Sequence, residues 1–219
     1  MPDFVSLRRT MVDTQLRTNK VTNDLVLASM GEIPREAFIP VGFSNFAYVD
    51  EHINIGPGRN MVQPMVLARM IQAAEISSDA VVLDIACGSG YSAAVLARIA
   101  RVVVALESDQ QLSGMATSQI MALGLDNVVL ENGAINDGWP DQAPYDVIMI
   151  NGACEEIPDK VFSQLDDGGR LCAVTRDTNG ACVVRMWNKV GAAVSSRILF
   201  DADVPVLPEF ERPGGFDFK

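Results

Sequence analysis

The feature that most constrains the fold is the run Val81-Val82-Leu83-Asp84-Ile85-Ala86-Cys87-Gly88-Ser89-Gly90, with a helical pattern and a second apolar run behind it. Val81 to Ile85 is short, mostly apolar and ends at small residues and glycines, which predicts a parallel strand buried on both faces. Tyr91 to Ala100 carries Ala and Leu at helical spacing, and Val102 to Leu106 is a second buried strand closed by an acid, Glu107. The order strand, glycine turn, helix, strand is a βαβ unit. Gly88 and Gly90 have no Cβ, so the chain can turn sharply there and a ligand can lie against the backbone. Glu107 sits at the tip of the neighbouring strand, 19 residues after Gly88. From there its carboxylate can accept hydrogen bonds from both hydroxyls of a ribose.

Two nucleoside cofactors could use such a turn. Gly88-Ser89-Gly90-Tyr91-Ser92-Ala93 satisfies the dinucleotide pattern GxGxx(G/A), a weak signal by itself. Asp84, four residues before Gly88, argues against NAD. A carboxylate repels a pyrophosphate but attracts the cationic sulfonium of S-adenosylmethionine. The acid therefore favours the sulfonium nucleoside, with NAD, or a turn that binds nothing, as the alternatives.

Charge and residue counts narrow the partners. The 17 basic and 28 acidic residues give 17 − 28 = −11, a poor balance for gripping a phosphate backbone, so no nucleic acid is expected. Cys87, Cys154, Cys172 and Cys182 form no CxxC pair, which reads as reduced, mostly buried thiols in a cytoplasmic protein rather than a metal site. His52 is the only histidine; a Ser-His-Asp triad or a multi-histidine metal centre is not expected, and His52 reads as a surface residue. No segment approaches the ~18 apolar residues of a membrane span, and the N-terminus lacks an apolar signal core.

The rest of the chain continues the alternation. Two helices are expected between Ser6 and Met30, broken near Thr18-Asn19-Lys20, the second with Thr22 as N-cap. Pro40, Gly42, Gly56, Pro57 and Gly58 mark a turn-rich stretch without periodicity, and Pro64 to Glu75 is a helix joining it to the core. After Glu107, Ser108 and Gln111 form a capping box for the next helix. Strands follow at 127–131, 145–150 and 170–175, with a short helix over 160–165 and a final pair of strands over 181–189 and 193–200. The expectation is an α/β protein with a doubly wound, seven-stranded, mostly parallel Rossmann-like sheet. Residues 1–76 would form an N-terminal helical cap, 77–206 the core and 207–219 a tail.

Several short motifs carry a family likeness: Met11-Val12-Asp13-Thr14-Gln15-Leu16, Ile33-Pro34-Arg35-Glu36-Ala37-Phe38-Ile39-Pro40, Ala47-Tyr48-Val49-Asp50 and Ile55-Gly56-Pro57-Gly58, then Gly138-Trp139-Pro140, Ala143-Pro144-Tyr145-Asp146-Val147-Ile148, Gly168-Gly169-Arg170-Leu171 and Val204-Pro205. Over roughly residues 10 to 207 the chain resembles the protein-L-isoaspartate O-methyltransferases. The resemblance implies a seven-stranded methyltransferase core, S-adenosyl-L-methionine as donor, and methylation of the carboxylate that forms when Asn or Asp rearranges in damaged proteins. A small carboxylic acid, another acceptor or a cofactor-binding protein without catalysis are the alternatives. The resemblance places Asn60, Asp84, Ala86, Gly88, Ser89, Gly90, Glu107, Ser108, Gly133 and Ala134 around the donor. It places Arg59, Val62, Gln63, Met65, Val204 and Pro205 around the acceptor. This chain departs from the family pattern in having Ala86 for the first glycine of the turn, Val62 for a serine, Asn60 for a threonine, Met65 for a frequent histidine and Ala134 for an aspartate. With Val62 at the serine position, no catalytic residue is assigned.

Overall fold

The computed structural model describes residues 2–212. Helix α1 (Phe4–Met11) opens at Asp3, whose carboxylate accepts from the Ser6 amide, and runs on through a π turn (Val12–Leu16) and a 3-10 turn (Arg17–Asn19). It stops at Lys20, which has φ +67, the break expected there. Helix α2 (Asp24–Glu32) is capped by Asn23, not by Thr22. Asn23 Oδ1 accepts from the amides of Leu25 and Val26, while the Thr22 amide donates to Gln72 Oε1 at 2.7 Å.

The turn-rich stretch contains an antiparallel hairpin, β1 (Ile53–Gly56) and β2 (Arg59–Met61), that periodicity does not announce. Helix α3 (Pro64–Ala74) starts on Pro64, whose missing N–H costs nothing in a first turn. It buries Val66, Leu67, Met70, Ile71 and Ala74, a helical stripe that carries the chain into the core.

The core sheet is built from β3 (Val81–Ile85), β4 (Val102–Glu107), β5 (Val128–Asn132), β6 (Tyr145–Cys154), β7 (Leu165–Arg176), β8 (Cys182–Val190) and β9 (Ala193–Asp201). The order is β5-β4-β3-β6-β7-β8-β9; β3 to β7 are parallel, and β8 and β9 add an antiparallel hairpin at the edge. After β5 the chain returns to the other side of β3. The switch point therefore lies at the carboxyl ends of β3 and β6, where open α/β sheets take their ligands. Alternate side chains feed two layers. Val82, Val103, Ala105, Val147 and Met149 pack with the cap, α3 and α4 (Tyr91–Ala97). Leu83, Ile85, Val104, Leu106, Ile148 and Ile150 face a thinner layer containing Ile135, Val161 of α6 (Asp159–Ser163), Leu207 and Phe210.

Two more local expectations are corrected. Helix α5 (Gln110–Ala122) is capped by Asp109, whose Oδ1 accepts from the Gln111 and Leu112 amides at 2.8 and 2.9 Å; Ser108 is engaged elsewhere. Gly168-Gly169 lies inside β7 rather than before it. The tail folds back: Val206 bridges Ala153 in parallel, and Leu207 and Phe210 are buried. The part of the expected tail at 213–219 lies outside the described residues.

Candidate active site

The turn after β3 is tightly wound. Ala86 and Gly88 both have φ +57, and Gly90 has φ +95. Ala86 thus holds a left-handed conformation that an L residue adopts at a cost of ~1–2 kcal/mol, a strain typical of functional turns. A Cβ on Gly88 would come within 2.5 Å of Ile55 Cδ1 of the cap hairpin. The turn and the cap are therefore in close contact. Ser89 strengthens the junction, its hydroxyl donating to the Phe38 carbonyl at 2.6 Å.

Asp84, one residue before the end of β3, is wholly buried. Its Oδ2 accepts from the Ser92 hydroxyl at 2.6 Å and its Oδ1 from Asn151 Nδ2 at 2.7 Å. Burial pushes its carboxyl up to about 7, against the lowering effect of those two donors and with help from the nearby Glu107. Ser92 and Asn151 in turn line the cavity beside the turn, together with Ile55, Arg59, Asn60, Met61, Val62, Leu67, Ala86, Cys87, Gly88, Ser89 and Tyr91. Asp84 thus acts on this cavity through the two side chains it orients. Burial also pushes the Cys87 thiol well up, which keeps it protonated and unreactive.

Glu107, at the end of β4, is fully buried and held by the backbone around it. It accepts from the amides of Gly88 at 2.9 Å, Ser108 at 2.8 Å and Asp109 at 3.0 Å. On its remaining side stands Arg59, whose Nε lies 2.9 and 3.2 Å from the two carboxylate oxygens. Arg59 also donates to Ser108 Oγ at 2.7 Å and to both oxygens of Glu209, at 2.7 and 3.1 Å. Burial works against its charge, but Glu209 and Glu107 outweigh it and raise the guanidinium further. The same pairing lowers Glu209 against its own partial burial.

The other expected residues are dispersed around this centre. Gly133 donates its amide to the Glu107 carbonyl at 3.2 Å and abuts Trp139, where a Cβ would meet the ring at 2.9 Å; Ala134 beside it is exposed. Gln63 donates its amide to His52 Nδ1 at 3.2 Å, and His52 Nε2 lies 2.5 Å from the Asp203 carbonyl, so the histidine fastens the cap to the segment before the tail. Val204 is buried, and Pro205 receives the Ala153 amide at the end of β6. Met65 is half-buried on α3. Val62 is buried in the cavity wall with its carbonyl on Arg35 Nη2 at 2.8 Å. Asn151 stands where the alternation of strands and helices puts a strand end, whereas the spacing does not single out Tyr91, Ser92 and Glu209, which also belong to the site. Ser92 and Tyr91 lie within the turn motif itself, whereas nothing in the tail sequence marks Glu209.

The residues suit a sulfonium nucleoside. A turn with glycines at 88 and 90, a strand-tip carboxylate already accepting N–H donors, and polar Ser92 and Asn151 around a neutralisable acid provide acceptors for ribose and for a cationic tail.

Comparison with known proteins places the chain. The protein-L-isoaspartate(D-aspartate) O-methyltransferase family matches residues 7–200. Protein-L-isoaspartate O-methyltransferase 1 of Rhodopseudomonas palustris is 39% identical over 184 residues, 84% of this chain and 75% of that one. A protein-L-isoaspartate O-methyltransferase of Methylorubrum extorquens is 37% identical over 189 residues, 86% of this chain and 82% of that one. A solved protein-L-isoaspartate O-methyltransferase shares the fold with a TM-score of 0.82 at 24% identity, over 95% of this chain and 66% of that one. A putative enzyme of the same name from Plasmodium falciparum, solved in complex with S-adenosyl-L-homocysteine, shares it at 0.76 and 18% identity, over 95% of this chain and all of that one. With the turn, the strand-tip acid and the cap motifs in their expected places in the fold, the chain belongs to the protein-L-isoaspartate(D-aspartate) O-methyltransferase family.

Proposed function

We propose that this protein is an S-adenosylmethionine-dependent O-methyltransferase whose acceptor is the carboxylate of L-isoaspartyl residues in damaged proteins or peptides. The observation that carries the reading is the pairing of the Gly88 amide with Glu107, which locks the glycine turn to the strand-tip carboxylate at the switch point of the sheet. The donor, when bound, supplies an electrophilic methyl group on a sulfonium. Glu107 would hold the ribose, the backbone of residues 86–90 would lie along the nucleoside, and Ser92 and Asn151, oriented by Asp84, would face its charged tail. The loop from Met61 to Met65 and the Val204-Pro205 segment would form the acceptor side, whereas Arg59, expected there, sits on Glu107 at the donor side.

A base is not required. The acceptor is a carboxylate of pKa ~4, ionised at neutral pH before it arrives. His52, tied to the Gln63 amide and the Asp203 carbonyl, is not drawn into the cavity. The chain's contribution is to align the carboxylate with the methyl and to exclude water, which the cap does by packing Ile55, Met61 and Val62 over the turn. Residues 1–76 thus serve as cap, 77–206 as donor-binding core. The charge of −11 supports protein rather than nucleic-acid substrates, and a cytoplasmic location fits the four reduced thiols. Among the described residues no helix is long and apolar enough to cross a membrane.

The test is a labelled-methyl assay with an isoaspartyl peptide beside its normal aspartyl twin. Transfer to the first alone is expected. Equal transfer to both, or transfer to neither with S-adenosylhomocysteine still binding, would overturn the acceptor.

A further inference from the structure

Glu107 is assigned above to the ribose, yet its acceptor capacity is already filled. A carboxylate offers about four lone-pair sites. Oε1 accepts from Arg59 Nε, the Ser108 amide and the Asp109 amide, and Oε2 from the Gly88 amide with a second, longer contact to Arg59 Nε. Three of these donors are backbone groups fixed by the turn and by the start of α5. The Ser108 hydroxyl adds only a long contact to Oε1 at 3.5 Å, so Arg59 is the strong side-chain partner, the one that can leave without disturbing the backbone of the site.

Arg59 is just as fully engaged. Its five N–H groups meet Glu107, Gly58 O, Ser108 Oγ and both oxygens of Glu209. The contact with Glu209 is a two-pronged fork, the geometry in which a guanidinium binds a carboxylate most strongly. Glu209 itself is positioned by a 3-10 turn (Pro208–Phe210) whose Phe210 is buried and accepts from the Glu155 and Glu156 amides. The turn thus holds Glu209 in place, and Glu209 holds Arg59 over Glu107. Arg59 also reaches the wall of the cavity beside the glycine turn, whose volume is about 20 Å³, space for about one water. Sites for ligands of nucleoside size run to ~300 Å³ or more. The cap hairpin and Arg59 must shift for a nucleoside to enter.

We propose that Arg59, tethered by Glu209, competes with the donor's ribose for Glu107, so that this pair sets donor affinity. The inference rests on the donor site assigned above. Donor binding then exchanges one set of hydrogen bonds on Glu107 for another, and its net strength is reduced by what Arg59 gives up. Loosening the tether without touching Glu107 should therefore tighten binding.

The experiment is calorimetric titration of the full chain with S-adenosylhomocysteine for the natural protein, Glu209→Gln, Arg59→Gln and the double variant, with melting temperatures alongside. Glu209→Gln, at a half-buried position on the tail, should bind several-fold tighter. Arg59→Gln should bind at least tenfold tighter, and the double variant should match Arg59→Gln, because the tether has nothing left to hold. Binding that first becomes measurable in Arg59→Gln would support the competition equally. Equal or weaker binding in both single variants would overturn the competition and make Arg59 a support of Glu107. If Arg59→Gln fails to fold, the sign of the Glu209→Gln effect decides. Absence of binding in all folded forms would overturn the donor site too, whereas unchanged affinity with normal isoaspartyl methylation would overturn only the competition.

Discussion

Asn151 of β6 donates to Asp84, the penultimate residue of β3, across 2.7 Å, joining the two strands that flank the switch point. Asp84, more than any other residue, sets the site's acid–base behaviour. Asp84 is fully enclosed, and burial raises its carboxyl from 3.8 to about 7. A raised folded-state value means that the folded protein keeps a proton which the unfolded chain gives up above pH ~4. The contribution to stability is fully present below that point and is lost as pH rises to about 7. Three pH units correspond to ~4 kcal/mol. Asp84→Asn, able to donate to Ser92 and accept from Asn151, should flatten this dependence. The difference in unfolding free energy between the two forms across pH 4 to 8 measures it, and parallel curves would show that Asp84 is ionised throughout.

Gly90 should be the least replaceable residue of the turn. Its φ is +95, and an added Cβ would sit 2.9 Å from Ala116 Cβ and 3.2 Å from Ala116 Cα, a backbone atom of α5. Gly90→Ala should cost at least ~2 kcal/mol, from the left-handed backbone and from the displacement of α5 together. Gly191→Ala provides the control. Gly191 has φ +57 but nothing within 4 Å of its added Cβ, so only the backbone cost of ~1 kcal/mol applies. Denaturant midpoints that fall equally for both would remove the packing argument.

These residues also show how far the sequence could be read. The central parallel strands were legible because they are apolar runs bounded by turn residues, and the edge pair β8 and β9 because Gly191 divides two β-rich stretches. The turn and Glu107 were legible because a βαβ unit fixes where a strand tip lies relative to the preceding turn. The hairpin over 53–61 was not, since strands of four and three residues with Gly-Pro-Gly between them carry no period. Ser108 and Asp109 are both good caps; the choice fell to Asp109 because Arg59 takes the Ser108 hydroxyl and Glu107 its amide. That Arg59 would meet Glu209, 150 positions away, depends on the tail folding back over β6, and no local pattern records such a contact.

Arg35 should hold the cap closed. It is completely buried, yet it meets no carboxylate among the described residues. Its Nε donates to the Ala47 carbonyl and its Nη2 to the Val62 carbonyl, both at 2.8 Å, and its guanidinium lies 4.8 Å from the centre of the Tyr91 ring. Burial lowers its pKa, and Tyr91, Tyr48 and Asp50 only partly offset it. Arg35→Met would leave two buried carbonyls unpaired, at ~1–3 kcal/mol each. The expected result is faster hydrogen exchange over residues 47–62 with the amides of β3 and β4 still protected. Uniform loss of protection would mean that cap and core unfold as one unit.

Val62 is where the acceptor reading is most exposed to test. The side chain is buried in the cavity wall beside the glycine turn, and its carbonyl is fixed by Arg35, so the direction of the side chain is set by the backbone. Serine at this position would be one heavy atom smaller and would present a hydroxyl. Valine cannot donate to an incoming carboxylate and makes the wall costlier for an ion. A charge-assisted hydrogen bond contributes ~1.5–3 kcal/mol, or roughly ten- to a hundredfold in rate if it is made in the transition state. Val62→Ser should therefore raise isoaspartyl methylation by that factor. It should also lower stability by ~1–2 kcal/mol, because buried methyl groups are lost and a hydroxyl enters an apolar wall. The two effects separate the roles: initial rates of methyl transfer report the first, and melting temperature the second. A destabilised variant with unchanged rate would reduce Val62 to packing between cap and core, and a natural protein already as fast as its serine-bearing relatives would show that the carboxylate is oriented by another group.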